Sequence, residues 1–153
     1  MSNLTKARTG AVLFMLWGLL HVVGGAVILA ALTDGAESAY ALYQNGIGVY
    51  PAIAGFVLGY LAYCLICMGI VVAAVGAMAN WRNSANGLAL NTIIVGLTEI
   101  GLVGFLIVPG YVSWTEAVPG MLLFMAAVTL GGIACRNCHP VAYSGDDLRA
   151  SPD

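Results

Sequence analysis

The chain has 153 residues, of which 61% are hydrophobic and 8% charged, and its mean hydropathy is +0.94. Five Lys/Arg and seven Asp/Glu cannot coat a water-facing surface of this size, because a soluble domain is about a quarter charged. That excludes a soluble monomer, a disordered chain and a nucleic-acid binder with a basic patch, and leaves an integral membrane protein.

A bilayer core about 30 Å thick needs ~20 apolar residues in a helix, and four segments meet that length. The first runs from about Thr9 to Leu32 and is closed by Thr33-Asp34-Gly35. It outruns the apolar core of a signal peptide and lacks a small-residue cleavage site, so it reads as a true span. The connection from Asp34 to Tyr50 is long for a helical hairpin and is expected either to lie on the membrane or to cover the bundle's mouth. The second span runs from about Pro51 to Ala79, with Pro51 at a first-turn position where its missing N–H costs nothing. The polar turn Asn80–Gly87 leads into the third span, from about Leu88 to Val108, which Pro109-Gly110 ends. The fourth runs from about Val118 to Ala134, with Pro119 in its first turn and Thr115 or Glu116 as its cap. The runs are continuous rather than alternating, and an open sheet edge cannot sit in lipid. The expected fold is all-α: one four-transmembrane-helix bundle over residues 1–135, followed by a polar tail over 136–153.

Four spans put every cation on one side. Lys6 and Arg8 precede the first span, Arg82 lies between the second and third, and Arg136 and Arg149 follow the fourth. The opposite connections carry Asp34, Glu37 and Glu116 but no Lys or Arg. The positive-inside rule then places both termini in the cytoplasm, and a bacterial inner membrane is the expected location. Tyr40, Tyr43, Tyr50, Tyr111 and Trp114 mark the outer interface, and Trp81 the inner one.

Ionisable groups inside a membrane are costly and point to function. Two lie deep: His21 near the middle of the first span and Glu99 near the middle of the third. Both spans run the same way, so the two groups share a depth and can meet. Trp17 is one turn from His21, with Gly18, Gly24 and Gly25 adjoining. Asn91 and Thr92 precede Glu99, and Thr92 shares a face with Gly96 and Glu99. Tyr60, Cys64 and Cys67 form an i, i+4, i+7 stripe on the second span, with Tyr63 and Met68 beside it. Set against this, His21 can serve only to bond a neighbouring helix, the Tyr/Cys/Met stripe is ordinary packing in most bundles, and Gly55-x-x-x-Gly59 reads as a packing device.

Two Cys-x-x-Cys pairs occur, Cys64/Cys67 at lipid depth and Cys135/Cys138 at the inner face. Thiolates at that spacing suit a soft metal or a redox couple. His139 completes the form of a c-type haem attachment site, but haem c is attached on the outer side and the charge bias puts this segment inside.

The run Leu16-Trp17-Gly18-Leu19-Leu20-His21-Val22-Val23-Gly24-Gly25 resembles the first span of styrene-oxide-isomerase-like proteins, as does the stretch from Ile93-Ile94-Val95 to Gly104-Phe105 in the third. The resemblance implies a compact four-helix membrane protein, and isomerisation of a lipophilic epoxide by a haem b held on a histidine at the start of the second span. That region here, Tyr43 to Pro51, holds no histidine, so no family residue carries over. The layout of the thiols resembles that of small mercuric-ion transporters with four spans.

Three functions follow as expectations. The first is a midplane pocket that binds, or also isomerises or otherwise transforms, a small lipophilic molecule. His21 and Glu99 would be its acid–base pair and Tyr60 a donor, with Trp17, Gly25, Asn91, Thr92 and Cys64 against the substrate. The second is transport of a soft metal ion from Cys64 and Cys67 to Cys135, Cys138 and His139. The third is a non-catalytic subunit of a membrane complex, or an immunity protein that binds a toxin within the bilayer. Four short spans bury little surface alone, which leaves room for a homo-oligomer.

Overall fold

The computed structural model of the protein describes residues 2–33 and 51–135, the side chains of residues 51–54 excepted. The expected features at Asp34, Glu37, Tyr40, Tyr43 and Tyr50, and those at Arg136, Cys138, His139 and Arg149, lie outside the described residues.

Four helices are present, α1 (Asn3–Thr33), α2 (Pro51–Met78), α3 (Ala85–Leu102) and α4 (Trp114–Cys135), with no strand among the described residues. By length and composition four helical segments can cross a membrane. α1, α3 and α4 begin where a serine hydroxyl accepts from a free backbone N–H. Ser2 Oγ accepts from Thr5 N at 3.2 Å, which extends α1 six residues beyond the expected start at Thr9. α2 ends in a single 3-10 turn, Asn80–Arg82, after which Asn83 takes a left-handed conformation at φ 58°. Asn tolerates that region better than most residues. Ser84 then caps α3, accepting from Gly87 N at 3.2 Å, so α3 begins three residues before the expected Leu88.

The far end of α3 widens. Over Val103–Ile107 the backbone bonds run from residue i to i+5, as in Val108 N to Val103 O at 2.9 Å. Such π turns occur often beside functional groups, and this one directly follows the turn that carries Glu99. Gly110 then adopts φ +85°, a conformation open to glycine at little cost, and reverses the chain.

α4 starts with a reciprocal cap. Ser113 N donates to Glu116 Oε2 at 2.9 Å, and Glu116 N donates to Ser113 Oγ at 3.4 Å. Ser113 is therefore the cap, not Thr115 or Glu116 as expected. The earlier start also moves Pro119 out of the first turn and into the helix proper. Ser113→Ala should cost about 1 kcal/mol of stability, while Glu116→Gln, which keeps the reciprocal bond, should cost less. Urea or SDS titration of the two variants in micelles checks the order.

Packing is uneven, and the unevenness makes the site. α1 lies tightly along α2 and α4 because small residues line both contacts. A Cβ added at Gly18 would strike the carbonyl oxygen of Gly69, and one at Gly69 would strike that of Gly18. A Cβ at Gly10 would come within 3.1 Å of Ala127 O on α4. Without a hydrophobic drive between helices in lipid, such close backbone approach is the main source of packing energy. α3 lies across the bundle diagonal from α1, and larger side chains fill the space between them. Phe14, Trp17, Val72, Val95 and Ala127 form the core there, each no more than 1% exposed.

One end of the bundle gathers the described cations. Arg8 lies over the Trp81 ring, 5.3 Å from its centroid, and Asn83 Nδ2 donates to Ala134 O at 3.3 Å. The start of α1, the α2–α3 turn and the end of α4 thus share one end.

Candidate functional site

Trp17 links the two deep ionisable groups. Its Nε1–H donates to Glu99 Oε1 at 2.7 Å, a buried bond between α1 and α3. One turn on, the His21 ring stacks on the Trp17 ring, with centroids 3.6 Å apart and planes 24° from parallel. His21 Nδ1 lies 2.9 Å from Trp17 O. A carbonyl only accepts, so Nδ1 carries the proton and Nε2 is the acceptor of the neutral ring. His21 and Glu99 therefore do not bond each other directly. The indole joins them.

Both groups line one cavity of about 610 Å³. From Leu20 to Ile28 on α1 it extends about 12 Å toward the end away from the cations. Leu61, Leu65 and Leu102 contribute to an apolar wall, and the size suits a drug-sized molecule.

Glu99 is 6% exposed, and its Oε2 has no hydrogen-bond partner among the described residues. A buried carboxyl oxygen of that kind is costly unless it meets a proton, a donor or a cation. Gly120 on α4 makes room for it: a Cβ there would sit 3.4 Å from Glu99 Oε1. Glu116, one turn before Gly120, lines the same cavity and is a second acid that the sequence reading left in a connection.

The other candidates divide. Cys64 lines the cavity. Tyr60 does not: it is 71% exposed on the outer face of α2, and Tyr63 is 61% exposed beside it. Gly25 is turned to α2, where a Cβ would come within 2.6 Å of Ala62 O. Gly18 likewise faces α2, whereas Gly24 opens on the cavity with nothing within 4 Å of an added Cβ. Asn91 is buried two turns below Glu99, and its Nδ2 donates to Val72 O at 3.2 Å, tying α3 to α2. Thr92 is half-buried and outside the cavity lining. Met68, beside the Cys64 stripe, lines it, and so does Thr98, which was not singled out before. Among the described residues no three His, Cys, Asp or Glu side chains converge as a metal site; Cys135 ends α4, and its proposed co-ligands Cys138 and His139 lie outside them.

No protein-family model, curated protein or solved structure matches the chain.

Haem b, implied by resemblance alone, does not suit the described cavity. Its propionates need cations or donors, and the lining offers Glu99 and Glu116 but no Lys or Arg. What the arrangement can do chemically is present a proton acceptor, His21 Nε2, and a carboxyl group to one bound molecule. Those are the parts of acid–base catalysis as well as of polar recognition.

Proposed function

We propose that this is a bacterial inner-membrane protein, both termini cytoplasmic, that holds a small lipophilic molecule in the cavity between α1, α2, α3 and α4. His21 and Glu99 meet the polar end of that molecule, and the apolar wall takes its body. The observation that carries this reading is that Glu99, buried and with Oε2 unpartnered among the described residues, lines a 610 Å³ apolar cavity. A carboxyl group is expensive to keep at such a depth, and a bound ligand would offset the cost. The grouping of Lys6, Arg8 and Arg82 at one end of the bundle supports the orientation.

Filling the cavity tests the reading. Gly24→Phe adds a ring where nothing lies within 4 Å, so it should occlude the space without disturbing helix contacts. Gly132→Phe is the control, because Gly132 is exposed, is likewise free of neighbours and does not line the cavity. Native mass spectrometry of protein released from membranes should show a small-molecule adduct on the wild type and on Gly132→Phe, and little or none on Gly24→Phe. Equal adducts on all three would contradict the proposal.

A further inference from the structure

The N–H and O–H donors of Trp17, His21 and Thr98 are already spent, and we propose that the cavity's ligand is a lipophilic cation: a primary or secondary ammonium on a hydrocarbon body. This rests on the reading of the cavity as a ligand site. The Trp17 Nε1–H goes to Glu99 Oε1 at 2.7 Å, the His21 Nδ1–H to Trp17 O at 2.9 Å, and the Thr98 hydroxyl to Ile94 O at 2.8 Å. With Glu99 ionised, what these groups leave for a ligand is acceptors: Glu99 Oε2, His21 Nε2 and the Thr98 oxygen lone pairs.

Charge points the same way. Glu99 is buried to 6% exposure with Oε2 unpartnered among the described residues, and Glu116 lies one turn outward along α4. No Lys or Arg lines the cavity, so neither acid finds a cation there within the described protein. An ammonium supplies both the missing charge and several N–H donors, one for Oε2 and one for Nε2. A neutral amine meeting the acid form of Glu99 takes its proton, and an ammonium meeting the carboxylate binds directly. Both routes end in the same R–NH3+···−OOC pair. A carboxylate head would bring a second negative charge against Glu99 and a further acceptor against His21 Nε2 instead.

Three probes with one hydrocarbon body decide the matter: 4-phenylbutylammonium, 4-phenylbutanol and 4-phenylbutyrate. The readout is Trp17 emission in the full chain carrying Trp81→Phe and Trp114→Phe, which leaves Trp17 as the sole tryptophan of three. The ammonium should bind roughly tenfold or more tightly than the alcohol, and the carboxylate more weakly than either. Glu99→Gln keeps an oxygen for the Trp17 N–H, and should lose the preference for the ammonium while still binding the alcohol. An alcohol that binds as well as the ammonium, or a carboxylate that binds best, overturns the cation proposal and leaves the pocket standing. No binding by any probe overturns the pocket reading and this proposal with it.

Discussion

Trp17→Ala should destabilise the bundle by about 3–5 kcal/mol through lost packing. A further 1–3 kcal/mol or so should be lost because Glu99 forfeits its donor. The indole is 0% exposed and bridges the diagonal between α1 and α3, so no neighbour can replace it. Trp17→Phe separates the two contributions, since it refills most of the volume and removes only the hydrogen bond. SDS unfolding in mixed micelles should rank wild type above Trp17→Phe and Trp17→Phe above Trp17→Ala. An alanine variant within about 1 kcal/mol of wild type would mean that the diagonal is held by something else.

Gly18→Val should be comparably damaging for the opposite reason. An added Cβ at Gly18 meets the Gly69 carbonyl oxygen, backbone that cannot turn aside. Even Gly18→Ala should cost about 1–3 kcal/mol by forcing α1 from α2. Gly24→Ala, six residues along the same helix, meets nothing within 4 Å and should be close to neutral. The same unfolding assay on the two alanine variants checks this. Equal costs would show that the tight α1–α2 crossing does not carry the stability assigned to it.

The spans were legible because unbroken apolar length is enough to define them. Their starts were less so. Hydropathy begins at Thr9 and near Val118, whereas the helices begin where Ser2 and Ser113 satisfy free backbone N–H groups. The spacing Ser113-x-x-Glu116 is a capping-box signal, and reading it would have placed Glu116 on α4 and hence near the cavity. His21 and Glu99, matched by depth in the sequence, both line one cavity. Their connection through Trp17 was not readable, because helical period says which residues share a face but not how two helices are rotated against each other. Tyr60 shows the same limit. Each step of four residues turns the face by about 40°, so a stripe can straddle an edge, with Cys64 inside and Tyr60 outside. The glycines divided on partner contacts alone: Gly18 and Gly25 face α2, and Gly24 faces the cavity.

The site claim is tested most directly by locating a heavy atom. In crystals grown with 4-(4-bromophenyl)butylammonium, the anomalous bromine peak should lie inside the bundle, walled by α1, α2, α3 and α4, with the ammonium nitrogen at Glu99 Oε2. Bromine found solely on the lipid-facing surface, with Glu99 Oε2 bonded to another protein group, would contradict the account.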